Sequence, residues 1–180
     1  MATSEPVARS IGGEVGLDVE ATYRYQRQLR GAEMLPMGES GRGQHSGHYD
    51  DKHLAYLILA LVGGQPAEAV ETAQQLANLQ YLVTSPQEIS PPPSGKGRFL
   101  DAMSDLIRAD VVYPFSVEFS FSLTVTACVF RELKDGRQQI DVYSDPGGSH
   151  PRSISFFRKV IITHRLIAIA HELWADTMAQ

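Results

Sequence analysis

Apolar residues recur at helical spacing near the start of the chain. Val7, Ala8 and Ile11 share one helical face, and the three glycines that follow weaken any continuation of that helix. Asp18 is a suitable N-cap, because its carboxylate can accept a free backbone N–H of a second helix that begins at about Val19. The pattern therefore predicts a helix, a tight turn and a second helix.

The second helix separates into an inner and an outer face. Its inward positions are Val19, Tyr23, Gln26 and Leu29. The exposed or half-exposed positions are then Arg24, Tyr25, Arg27, Gln28 and Arg30. Arg suits guanine N7 and O6 and Gln suits adenine N6 and N7 in the major groove, while Tyr and Arg also reach phosphates. We expect these five residues to contact DNA; the alternative is an exposed helix whose arginines serve solubility beside Glu20 and Glu33.

A Gly/Ser-rich stretch, MGESGRGQHSGHY at 37–49, follows the helix stop at Leu35-Pro36. It is too polar to be core, and it contains Arg42 and His45. We interpret it as a wing, in which both side chains are candidate DNA contacts.

Asp50 is expected to cap the N-terminus of a third helix. Pro66 is expected to lie in the first turn of a fourth helical segment. The third helix carries an apolar stripe made of Leu54, Leu57, Ile58 and Leu61. Three histidines and one aspartate near its start could be read as metal ligands, namely His45, His48, Asp50 and His53. We do not predict a metal site, because Asp50 already caps the helix and His45 and His48 lie in a glycine-rich polar loop.

Together these segments resemble the DNA-binding domain of MerR-type regulators. The resemblance covers roughly the first third of the chain: the Val7 helix, Gly16-Leu17-Asp18-Val19-Glu20, Thr22-Tyr23-Arg24-Tyr25, Met34-Leu35-Pro36, a Gly/Arg wing ending in Tyr49, and the helix capped by Asp50. It implies that the second helix lies in the major groove with Arg24 and Tyr25 on DNA, and that Arg42 contacts a phosphate. Nothing downstream resembles the family's dimerisation helix or cysteine metal site, so no effector or metal is implied.

Charge limits the kind of DNA binding that is expected. The net charge is -5, and residues 1–80 hold six Lys/Arg against ten Asp/Glu. This excludes a protein that coats nucleic acid by bulk electrostatics. This charge is still compatible with a specific regulator that clusters its few arginines on one surface. The DNA affinity of such a protein should fall steeply with salt.

The single Cys128 excludes an intramolecular disulfide and a multi-cysteine zinc site. We find no secretory pattern at the N-terminus and no apolar run of membrane-spanning length, so we expect a cytoplasmic protein without membrane contact. No nucleophile, metal or P-loop motif is complete, so an enzyme and a cofactor are not predicted.

A proline-rich stretch divides the sequence. Residues 85–98, SPQEISPPPSGKGR, hold four of the 10 prolines and almost no apolar residue, which is typical of a stiff linker. We predict a DNA-binding domain at 1–84, a linker at 85–97 and a second domain at 98–180.

The second domain is predicted to be α+β. A short helix is predicted to begin at Phe99. Every odd position from Val111 to Val129 is apolar, which indicates strand structure. Nineteen residues exceed a usual strand, so we expect a bend or a break near Pro114. Asp135-Gly136 predicts a hairpin, and a further strand is expected from Ile154 to Ile162. A closing helix with Leu166, Ile169, Ala170, Leu173, Trp174 and Thr177 should pack on the dry face of the antiparallel sheet.

The sequence thus predicts an all-α winged helix-turn-helix followed by an antiparallel sheet packed by two helices. We interpret the chain as a bacterial or phage DNA-binding transcriptional regulator that acts as a homodimer on double-stranded DNA. A contact with RNA polymerase or another protein stays open. The alternatives are a protein–protein interaction module that uses the C-terminal sheet, and a small-ligand sensor.

Overall fold

The structure is a computed structural model of the 180-residue chain, and it describes residues 4–37, 48–85, 97–109, 115–121, 125–132, 135–145 and 158–179. The helices are α1 (Ser4–Val7), which continues into a π-helical turn (Ala8–Gly12), α2 (Val19–Gly31), α3 (Asp51–Gly63), a 3-10 turn (Pro66–Glu68), α4 (Ala69–Ala77), α5 (Phe99–Arg108) and α6 (His164–Met178). The strands are β1 (Gln80–Ser85), β2 (Phe115–Phe121), β3 (Val125–Glu132), β4 (Gln138–Ser144) and β5 (Arg158–Thr163). The predicted α+β class is confirmed.

All neighbouring strands of the sheet are antiparallel, and their spatial order is β1-β4-β3-β2-β5. Among the described strands, β1 and β5 are therefore the two at the edges of the sheet. None of the helices in the described ranges is both long and apolar enough to cross a membrane.

The predicted helix starts are confirmed by their caps. The Asp18 carboxylate accepts a hydrogen bond from the Ala21 N–H at 2.6 Å, and Asp50 forms a capping box with His53. Gly16 adopts a φ of 76° in the turn before α2, a conformation that favours glycine. Local sequence chemistry alone thus fixes where α2 and α3 begin.

The long alternating segment is folded into a hairpin. The hairpin turn lies between Phe121 and Val125, where the sequence predicted no break; the predicted break near Pro114 lies outside the described residues, and β2 begins directly after it. Phe121 pairs with Val125 and Phe115 with Arg131, so odd positions pair with odd positions and their side chains stay on one face. The apolar alternation therefore runs through the turn without a change of phase, and the sequence pattern does not mark it.

Helices α5 and α6 lie on the face of the sheet that carries these odd positions, as predicted. The Phe99 ring of α5 meets Phe119 and Tyr143 edge-on, with ring centroids 5.5 and 5.1 Å apart. Leu166 and Ala170 of α6 are buried. Helix α3 packs against both α5 and α6.

One hydrophobic core includes residues from both sides of the predicted linker. It joins Val7 and Leu54 to Phe99 and Val117 without interruption. Strand β1, which the sequence reading placed in a helical first domain, pairs with β4 in the sheet. The division at 85–97 therefore does not separate two independent cores, because the helices of the first segment cover the helices of the second.

Candidate nucleic-acid interface

Helix α2 presents a narrow exposed stripe. Its exposed residues are Glu20, Arg24, Arg27, Gln28 and Gly31. These positions follow the i, i+4, i+7, i+8 spacing of one helical face, whereas Thr22, Gln26 and Leu29 on the other face are fully buried. Within the part of the chain that the structure describes, neither Arg24 nor Arg27 forms an ion pair. Two guanidinium groups and an amide are thus available on one side.

The preceding helical segment touches α2 very closely. A Cβ atom added at Gly12 would lie 3.0 Å from the Cβ of Thr22 and closer still to its Oγ1. Thr22 cannot easily turn away, because its hydroxyl donates to the Asp18 carbonyl at 3.0 Å and its side chain is buried. Glycine at position 12 therefore sets the approach of the two helices.

Tyr25 is not part of the exposed stripe. Its side chain is only 3% exposed and belongs to the core, so the expectation that it faces outward is corrected. The reason is its position one residue before the buried Gln26, where the apolar ring gains more from burial than from water.

Arg30 also points away from the stripe. Its Nη2 donates to the Tyr49 hydroxyl at 3.0 Å and to the Ser4 hydroxyl, and it lies 3.4 Å from Gln26 Oε1. Gln26 Nε2 in turn donates to the Ser4 carbonyl at 3.1 Å. Arg30 therefore connects α2 to the start of α1 and to Tyr49, and its role in this chain is to position these segments.

The wing predicted at 37–49 falls mostly outside the described residues. Arg42 and His45 lie in 38–47, where nothing is described, so their DNA contacts stay predictions. The end of the loop is described: His48 is exposed and Tyr49 is completely buried. The buried Tyr49, held by Arg30, anchors this end of the loop to α2.

Acidic residues flank the two available arginines. Glu20 lies one turn before Arg24 on the same stripe, and the exposed Glu33 follows the helix with a positive φ of 59°. The negative charge limits how strongly the stripe attracts phosphates at a distance. Affinity for DNA would have to come from close contacts of Arg24, Arg27 and Gln28.

Two histidines outside the wing, His53 and His171, have structural partners. His53 Nδ1 accepts from the Asp50 N–H at 3.2 Å, and His171 Nδ1 lies 2.8 Å from the Ile107 carbonyl, which joins α6 to α5. In the described ranges no group of three or more His, Cys, Asp or Glu side chains is arranged to hold a metal ion.

Sequence reasoning missed one buried polar cluster. Asp141 is completely buried on the covered face of the sheet, where it pairs with Arg131 and accepts from Gln139 Nε2 at 3.2 Å. Burial, together with the negative charge of Asp141, raises the pKa of Tyr143 to about 12. The available signal was that β4 has polar residues at 139 and 141, positions in register with the covered face.

The opposite face of the sheet carries several apolar residues of that same strand. Ile140 pairs with Phe130 and Val142 with Cys128, and all four side chains are half-buried and lie outside the hydrophobic core. In strand β4, Gln139 and Asp141 therefore lie on the covered face, and Ile140 and Val142 lie on the opposite face.

No family model, no curated protein and no solved structure matches this chain.

Proposed function

We propose that this chain is a sequence-specific DNA-binding regulator whose helix α2 enters the major groove of double-stranded DNA. The observation that carries the proposal is the exposed stripe of α2, on which Arg24, Arg27 and Gln28 lie together without an intramolecular ion pair in the described part of the chain. An N-terminally capped helix after a glycine turn is the arrangement that presents such side chains to base edges.

The residues of the stripe match the chemistry of the groove. Arg24 and Arg27 are one turn apart, so their guanidinium groups can reach neighbouring base pairs or a base and a phosphate. Gln28 follows directly and can pair with adenine N6 and N7. Arg42 and His45 are proposed as additional contacts from the wing.

Few phosphate contacts imply modest binding to unrelated DNA. Each neutralised phosphate contributes a slope of roughly -0.9 to the dependence of log K on log salt. A slope of about -3 per chain is the upper limit, reached when Arg24, Arg27 and Arg42 each neutralise one phosphate. In the proposed homodimer, two copies on half-sites roughly 34 Å apart would double that slope and add their base contacts.

The proposal is tested by selecting DNA from a random pool with the full chain and measuring binding by gel retardation. Replacing both Arg24 and Arg27 with Ala should weaken binding to the selected site by about two orders of magnitude or more, because each good base contact contributes about 1–3 kcal/mol. Both side chains are exposed, so the free energy of unfolding should change by less than about 1 kcal/mol.

The matched control replaces Arg98 and Arg137 with Ala. These exposed arginines lie outside the helix–turn–helix, and their loss changes the net charge equally. The control should keep most of the wild-type affinity. Equal loss in both double variants would show that charge alone is responsible, and unchanged affinity in the folded Arg24/Arg27 variant would refute the proposal.

A second candidate function, protein–protein interaction through the sheet, is favoured by a groove beside strand β5. It does not exclude DNA binding, since the groove and the exposed stripe of α2 use different residues.

A further inference from the structure

A groove of about 350 Å³ lies where β5, α3 and α6 meet. Its apolar side chains from the helices are Ile58, Leu61, Val62 and Leu166. Two of its residues are large exposed aliphatics, Val15 at 41% and Ile161 at 53%. Glu14 also lines the groove and pairs with Arg165 at 3.0 Å. The groove thus combines an apolar floor with an accessible opening.

The groove runs along the backbone of β5. Four consecutive residues, Val160–Thr163, line it. Successive strand side chains point to opposite faces, so four lining residues in a row place the groove along the backbone of this edge strand. β5 is the last strand in the sheet order, and β2 occupies its other side. In the described part of the sheet, the outer N–H and C=O groups of β5 therefore face the groove without a strand partner.

The charge of β5 argues against a second copy of this chain as the occupant. The strand begins with Arg158-Lys159 and is followed by His164-Arg165. If two identical β5 edges paired antiparallel, Arg158-Lys159 of one copy would lie beside His164-Arg165 of the other copy. This would happen at both ends of the paired strands. Each end would then hold three permanently charged basic residues of the sequence, at positions 158, 159 and 165, against the single acidic residue Glu14, which is unfavourable.

We propose that this groove binds an extended acidic peptide segment of another protein by β-strand addition. The peptide pairs antiparallel with the outer edge of β5 and places alternate apolar side chains on the floor formed by Ile58, Leu61 and Leu166. Its C-terminal end carries Asp or Glu, because that end lies beside the Arg158-Lys159 start of the strand. Main-chain hydrogen bonds supply affinity, and the apolar floor and the basic end supply selectivity.

The test pans a phage library of random 12-residue peptides against the full chain and measures the selected peptide, made synthetically, by fluorescence anisotropy. Selected sequences should alternate apolar and polar residues and end in Asp or Glu. N-methylation of two backbone nitrogens that face β5 should weaken binding about tenfold or more, because each lost hydrogen bond contributes about 1 kcal/mol. Alternate amide protons within 160–163 should become protected from exchange.

Val15→Asp is the test variant, and Leu82→Asp is its control. Val15 lines the groove, whereas Leu82 is 66% exposed on β1, the opposite edge strand. Val15→Asp should weaken binding of the acidic peptide about tenfold or more, and Leu82→Asp should leave it unchanged.

Several results would overturn the proposal: no enriched sequence, enriched sequences without the alternation, or equal effects of the two Asp variants. Insensitivity to backbone N-methylation would show that the main chain does not pair. A dimer in sedimentation that Val15→Asp dissociates would assign the groove to a second copy instead. None of these readouts uses DNA, so they are independent of the proposed function.

Discussion

Three arginines of α2 lie within seven residues and have different environments. Arg24 and Arg27 are exposed, whereas Arg30 is half-buried and bonded to Ser4 and Tyr49. Helical periodicity explains why Arg24 and Arg27 are exposed. The burial and hydrogen bonds of Arg30 depend instead on where α1 and Tyr49 lie. The candidate DNA contacts on α2 are therefore Arg24, Arg27 and Gln28, and Arg30 holds the helix in place.

Replacing Glu20 should raise DNA affinity, whereas replacing Arg24 and Arg27 should lower it. Glu20 is exposed on the same stripe, and its carboxylate would approach the phosphates when α2 enters the groove. Glu20→Gln should raise affinity for selected and unrelated DNA alike, by roughly two- to tenfold at low salt, since the gain is electrostatic. Fluorescence anisotropy across a salt series measures the effect.

Glu132→Gln is the control for this change, because Glu132 is exposed at the end of β3, away from α2. It makes the same change in net charge. If the two variants gain affinity equally, the position of Glu20 is irrelevant and α2 is not near DNA.

At the scale of elements, local signals were sufficient for the helices and insufficient for the strands. Caps and periodicity predicted α2, α3, α5 and α6, since these depend on residues a few positions apart. The β2–β3 turn is not visible in the sequence because its register preserves the alternation. β1 was missed because its partner, β4, is more than fifty residues away in the sequence. The polar positions of β4 make sense only beside Arg131 on the neighbouring strand.

The packing of the Ala8–Gly12 turn against α2 depends on close approach at Gly12. Gly12→Ala should destabilise the chain by about 1–3 kcal/mol, because the new methyl group collides with the buried Thr22. This cost exceeds the gain of up to about 1 kcal/mol that alanine brings to a helix. Urea unfolding followed by circular dichroism gives the difference.

The adjacent Gly13→Ala is the matched control, since an added Cβ there meets nothing within 4 Å and the backbone is already α-helical, with φ at -59°. It should be neutral or slightly stabilising. A Gly12→Ala variant as stable as Gly13→Ala would show that the two helices do not pack as described.

At the scale of the whole molecule, one core joins the two segments that the proline-rich stretch separates in sequence. The sequence reading inferred independent domains from composition, because proline and serine mark solvated connections. Composition cannot show that the segments before and after the proline-rich stretch share one core. In the structure they do, because β1 pairs with β4 and α3 packs against α5. The α+β class was therefore predictable from the sequence, and the shared core was not.

A fragment of residues 98–180 should consequently not fold alone. It lacks β1, so β4 loses a strand partner, and it lacks α3, so the side of α5 that α3 covers becomes exposed. Amide shift dispersion in a proton–nitrogen NMR spectrum should be poor for 98–180, whereas 48–180, which keeps α3, α4 and β1, should be better dispersed. Cooperative two-state unfolding of 98–180 would contradict the single core.

The most direct test of the central claim is NMR mapping of the ¹⁵N-labelled full chain with its selected duplex DNA. We predict that the largest amide shift changes lie in Glu20–Gly31, with the exposed positions Arg24, Arg27 and Gln28 among them, and that β2, β3 and β4 change little. Saturable binding that leaves Glu20–Gly31 unchanged and shifts the sheet instead would contradict the account.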